Sequence, residues 1–221
     1  MDEATREALE QEIRSRHQRG DLEGAAEVAL RGYGRELYNF LFALHRRDED
    51  SAAEAFSLFA EGLWRSLPGF AWHCPFRAWA YAVARRCSLR QRRDARRQTL
   101  PEGSALSLLV QQIQRDQSSA LRSERRSRLL ELREALPPED QALLMLRVDR
   151  ELSWNDLAQV LHDGTPAPLE GKALAKEAAR LRKRFQTIKD ALREAAQREG
   201  LAGSAEGPDP VQPAQRRLPS A

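Results

Sequence analysis

From Phe76 to Arg97 the chain reads FRAWAYAVARRCSLRQRRDARR. The second half of this stretch carries Arg85, Arg86, Arg90, Arg92, Arg93, Arg96 and Arg97, with Trp79 and Tyr81 just ahead of them. Rings beside guanidinium groups suit unpaired nucleic acid, because bases stack on the aromatic faces while the cations meet the phosphate backbone. Charge pattern alone fits equally a solvated arginine-rich helix end with Trp79 turned into a core. A second cationic segment, KALAKEAARLRKRFQTIKDAL, starts at Lys172. In it Leu174, Ala178, Leu181, Phe185, Ile188 and Leu192 recur every three or four residues and make one narrow apolar seam. At about 100° per residue, Lys176, Arg180, Lys183 and Thr187 fall on the opposite face. Ahead of it, Ser153 with Asp156 three residues on reads as the capped start of a shorter helix, with Trp154, Leu157, Ala158 and Leu161 facing one way. A short capped helix, a turn and a cationic amphipathic helix make the layout of a helix-turn-helix. A bundle or coiled-coil helix with a solvated polar face has the same pattern.

Other chemistry finds little support. His45, His73, Cys74, Cys87 and His162 lack the paired spacing of a zinc site, so no metal and no cofactor is expected. No glycine-rich phosphate loop, HExxH or nucleophile-elbow pattern is present, and the expectation is a protein without an active site. Gly20-Asp21-Leu22-Glu23-Gly24 reads as a turn. Trp64, Trp72, Trp79 and Trp154 read as core or surface residues.

The elements that must position these residues are almost all helical in period, and no stretch keeps a strand alternation. A polar helix is predicted over 4–18, broken near Gly20 and Gly24. A helix over about 25–45 places Val28, Tyr33, Leu37, Phe40, Leu41 and Leu44 on one stripe. After the charged turn 46–50, Ser51 is the expected N-cap of a helix that aligns Ala52, Ala55, Phe56, Phe59, Leu63 and Leu67 and ends at Pro68-Gly69. A helix then runs from Phe76 to about Arg93, with Phe76, Ala80, Val83 and Cys87 as its apolar stripe. Residues 94–118 are polar and irregular, with some helical content around 106–113. Helices follow over 118–135, 139–148, 153–161 and about 173–197. The tail beyond Gly200, rich in Gly, Pro and Ser, is expected to be disordered.

At 221 residues, with 41% hydrophobic and 31% charged side chains, the chain has room for one large or two small domains. The net charge of +3 beside a pI of about 9.1 directs attention to where the cations cluster rather than to their sum. A mean hydropathy of −0.65 with no apolar run near twenty residues argues against a membrane span. The polar start, Met1 to Glu12, lacks the order of a signal peptide, so a cytoplasmic location away from any membrane is expected.

Two stretches in order carry a resemblance to a known family. YGRELYNFLFAL, AAEAFSLFAEGLWRSLPGF and FRAWAYAVARR, between Tyr33 and Arg97, look like region two of an extracytoplasmic-function sigma factor of bacterial RNA polymerase. LPPEDQALLMLRVDRELSWNDLAQVL and ARLRKRF, between Leu136 and about Arg193, resemble its region four. The resemblance implies an all-α fold of two small helical domains joined by a flexible linker. The divisions are an N-terminal extension (1–24), a region-two-like domain (25–97), a linker (98–118), a region-four-like helix-turn-helix domain (119–197) and a tail (198–221). It implies core RNA polymerase and promoter DNA as partners, and an anti-sigma factor that would mask both domains. Carried over by position, Phe76, Arg77 and Trp79 start the promoter helix, and Arg85, Arg86, Arg90, Arg92 and Arg93 face DNA. Lys176, Arg180, Arg182, Lys183, Arg184 and Thr187 fit the recognition helix, and Glu54, Ser57, Leu58 and Glu61 fit the polymerase-docking face. The chain departs from the family pattern at Ser57, at Arg86 and Arg90, and in a long turn, His162 to Lys172. Two other readings stand beside this one: a helix-turn-helix regulator, and a polymerase-binding protein that has lost promoter recognition.

Overall fold

The computed structural model describes residues 1–91, 105–121, 128–162 and 168–199, and over these the fold is all-α. The helices are α1 (Glu3–Gln18), α2 (Leu22–Leu44), α3 (Glu49–Ser66), α4 (Phe76–Gln91), α5 (Ala105–Leu121), α6 (Arg128–Glu134), α7 (Pro138–Leu144), α8 (Trp154–Leu161) and α9 (Gly171–Arg198). A 3₁₀ turn, Leu67–Gly69, closes α3, and a π turn, Met145–Asp149, follows α7. No described helix is long and apolar enough to cross a membrane.

Local chemistry sets most of the boundaries. Asp21 accepts from the Gly24 amide, so α2 opens at Leu22 and Gly24 lies inside the helix rather than in a break before it. The cap of α3 is Asp48, whose carboxylate accepts from the Ser51 amide at 2.7 Å, and the expected cap Ser51 is its partner instead. Between α2 and α3 the consecutive Arg46 and Arg47 both hold positive φ, 55° and 62°, a left-handed turn without glycine. Ser153 caps α8 as expected: its hydroxyl accepts from the Asp156 amide at 3.1 Å and donates to the Asp156 carboxylate at 2.7 Å.

The core of the first half is aromatic. Tyr33, Tyr38, Phe40, Phe56, Phe59, Phe76 and Tyr81 are fully buried. The expected stripes of α2 and α3 face this core, with Val28 only partly covered. Two glycines on α2 let neighbours approach closely: a Cβ at Gly32 would stand 2.2 Å from Leu9 of α1, and one at Gly34 would stand 2.5 Å from Ile113 of α5.

α5 lies in the stretch expected to act as linker. It buries Leu106 and Val110 and packs on α2 and α3. The polar look of 94–118 hid one apolar face at positions 106, 109, 110 and 113. In the second half, Trp154 meets Phe185 edge to face at 5.6 Å, holding α8 on α9, and the Arg147 guanidinium lies 4.9 Å from the Trp154 ring. The two halves touch directly, chiefly through α4 against α8.

Candidate nucleic-acid interface

α9 presents the cationic face that the periodicity predicts. Ala178, Leu181 and Ile188 are buried against the rest of the second half, while Lys176, Arg180, Lys183 and Thr187 are exposed on the other side. With 28 residues the helix is about 42 Å long, so this face can cross a major groove and overrun it. Lys176 and Lys183 have no ion-pair partner among the described residues. Arg180 is held by Glu177 at 2.8 Å, a surface pair of the kind that exchanges readily with other anions. Arg182 is exposed, with its guanidinium 5.7 Å from the Trp154 ring. Arg184 faces inward and bonds Asp140 of α7, so it braces α9 rather than joining the outer face.

The long turn ahead of α9 is tied down at its far end. Gln159 of α8 accepts from the Leu169 amide at 2.9 Å and donates to the Leu169 carbonyl at 2.7 Å, imitating a backbone pair. Residues 163–167 lie outside the described set. α9 then starts at Gly171, where φ is +50°.

The cations of α4 are placed very differently from their expected role. Arg85 is buried, its side chain 4% exposed, and it donates to Glu139 of α7 at 2.6 Å. Arg77 is 12% exposed, chelated by Glu36 of α2, and its second arm donates to the Arg150 carbonyl at 3.0 Å. In this arrangement neither offers a surface to DNA: burying a guanidinium needs acceptors, and the fold supplies them from both halves. Trp79 is half-buried and stacked on Phe70 at 4.5 Å, so one ring face is already occupied, which is the core alternative rather than base stacking. Tyr81 is wholly buried, edge-on to Phe40. Only Arg86 and Arg90 of this helix remain exposed among the expected contacts; Arg92, Arg93, Arg96 and Arg97 lie outside the described residues.

The docking face is also partly covered. Glu54 is exposed and accepts from Gln91 at 2.9 Å. Ser57 is half-buried under α5, accepting from Gln114 at 3.1 Å. Leu58 is half-buried, and its carbonyl receives the Cys87 thiol at 3.4 Å. Glu61 is not on an outer face at all; it is buried and paired with Arg65 at 2.6 Å. Three residues that drew no attention in sequence shape this region: Glu10, Glu36 and Glu139. Glu10 accepts from the Phe76 and Arg77 amides at 2.7 and 2.8 Å and from the Tyr33 hydroxyl at 3.0 Å, capping α4 from another helix. Burial and the Glu10 carboxylate together push the Tyr33 phenol upward. The one signal for Glu10 is negative, since Cys74-Pro75 provides no side-chain cap of its own.

The cysteines are unpaired with each other, and burial pushes both Cys74 and Cys87 up to about 11. No cluster of three metal-ligating side chains occurs among the described residues. Compared with protein-family models and with curated proteins, the chain finds no match. The case for function therefore rests on the residues themselves.

Proposed function

We propose that this chain is a DNA-binding subunit for transcription initiation of the extracytoplasmic-function sigma type, acting in the cytoplasm by joining core RNA polymerase and carrying it to promoters. The observation that carries this reading is the α8–α9 pair. A short helix with a reciprocal Ser153–Asp156 cap packs on a long helix whose outer face holds Lys176, Arg180, Lys183 and Thr187. Such a helix meets DNA as a recognition helix, with its cations on phosphates and its polar side chains at base edges. The order of the two sigma-like segments adds the polymerase to the reading. The role is one of binding, with no cofactor, and an anti-sigma partner remains part of the proposal.

The covering of α4 favours a second reading, a regulator that uses the helix-turn-helix alone. In-vitro transcription separates the two. Purified core polymerase, the full chain and a genomic promoter pool should yield new transcripts under the first reading. Duplex binding without association to core enzyme would instead support the regulator and overturn the sigma reading.

A further inference from the structure

A cleft of about 360 Å³ opens where the end of α2 meets α6, α7 and the π turn. Clefts that hold small molecules run to about 300–1,000 Å³, so this one has room for a small ligand. Asn39 and Phe42 of α2 line it, with Leu144 of α7 and, from the π turn and the residue after it, Met145 and Arg150. Phe42 and Leu144 are buried and Met145 is half-buried, which makes part of the lining apolar. Two ion pairs complete it: Arg47 with Glu134 at 2.8 Å, and Arg133 with Asp149 at 3.3 Å. Arg47 reaches its partner from the left-handed turn, at φ 62°, so strained backbone helps to shape the cleft.

Those pairs leave two lining groups unused. The Asn39 Oδ1 atom is buried and accepts no hydrogen bond among the described residues, although an amide oxygen taken out of water needs a donor. Arg150 has no carboxylate partner among the described residues. Its guanidinium reaches the Asp149 carbonyl at 3.5 Å and the Tyr81 phenol, both uncharged. An acceptor, a cation and an apolar wall therefore share one cleft. A simple carboxylate would satisfy Arg150 and leave Asn39 bare, and a simple amine would do the reverse. We infer that the cleft binds a free amino acid with a large apolar side chain. The carboxylate pairs with the Arg150 fork, the ammonium donates to Asn39 Oδ1, and the side chain lies against Phe42, Leu144 and Met145. This site lies apart from the cationic face of α9 and does not depend on the DNA-binding reading. Since α2 belongs to the first half and the other elements to the second, a bound amino acid links the halves and stabilises the fold.

The test uses the full chain with L-phenylalanine and L-leucine as probes, each titrated into the millimolar range. Thermal melts read stabilisation, and amide shifts by NMR read the place and the affinity. At least one probe should raise Tm saturably and shift the Phe42, Ala43 and Met145 to Arg150 amides together. 3-Phenylpropionate, which lacks the ammonium, and 2-phenylethylamine, which lacks the carboxylate, should each bind at least about tenfold more weakly than L-phenylalanine, the loss expected when a charged hydrogen bond goes unmade. If L-leucine alone binds, 4-methylpentanoate and 3-methylbutylamine take their place. These comparisons alter the ligand and not the protein, so they decide the matter even where a variant does not fold. Asn39→Leu and Arg150→Met should each weaken binding by a similar factor. Absence of a saturable response to both amino acids overturns the site. So does equal binding of either truncated analogue, or unchanged binding by a folded Arg150→Met.

Discussion

Glu10 reaches across 66 residues of sequence to the first turn of α4, and removing it should cost more than a surface carboxylate normally does. Its carboxylate takes the Phe76 and Arg77 amides at 2.7 and 2.8 Å and the Tyr33 hydroxyl at 3.0 Å. Helix α4 begins after Pro75 without a capping side chain from its own neighbourhood, so Glu10→Ala leaves two first-turn amides and a buried phenol without an acceptor. A lost cap costs about 0.5–2 kcal/mol, and a hydrogen bond to a charged group contributes about 1.5–3 kcal/mol. Glu10 is only half-buried and water can replace part of what is lost, which places the expected cost at about 2–3 kcal/mol. For a chain of this size that corresponds to a fall in Tm of roughly 5–10 °C. Tyr33→Phe alone should cost about 1 kcal/mol, and the double variant should fall short of the sum by about 1 kcal/mol because the two share one bond. Thermal melts by circular dichroism measure all three, and hydrogen exchange should show protection lost at the Phe76 and Arg77 amides first. A cost under about 0.5 kcal/mol for Glu10→Ala, or strict additivity with Tyr33→Phe, would refute the inter-helix cap.

Exposed Arg46 sits at φ 55°, and Arg46→Gly should raise stability by about 0.5–1 kcal/mol in urea melts, since relief of the left-handed strain exceeds the entropic cost of glycine. Burial lifts both thiols to about 11, above the ordinary value of about 8.5, so their share of stability is complete below that value and is lost as pH rises through about 11. Alkylation by iodoacetamide at mild alkaline pH should then run about a hundredfold slower in the native protein than in denaturant, as mass spectrometry would register. The Ser51 hydroxyl and amide hold the Asp48 carboxyl below its ordinary value, so the cap is intact at neutral pH and is lost as pH falls through that depressed value. Titration of the Asp48 carboxyl by NMR should show the low midpoint and its return upward in Ser51→Ala. Lys183→Ala should weaken duplex binding evenly across sequences and lower the salt slope by about one; an unchanged slope would remove α9 from the interface.

What was legible in the sequence is what repeats within a few residues. The seam of α9, the opposite cationic face and the Ser153–Asp156 cap depend on positions three or four apart, and helix geometry alone puts them together. The same holds for the stripes of α2 and α3, and hence for the all-α class. Where a local rule had two solutions, the reading slipped by a step, as with Asp48 in place of Ser51. The fate of the arginines was not legible. Arg85 and Arg86 are adjacent and alike in sequence, yet one is buried on Glu139 and the other exposed. Which of them reaches solvent depends on where α7 and α8 come to rest, and no pattern within α4 encodes that. The same applies to Glu10, to Glu61 and to α5 over Ser57. Periodicity assigns a face to each helix, but only packing between distant segments decides what that face meets, because a buried charge must find its acceptor wherever the fold brings one.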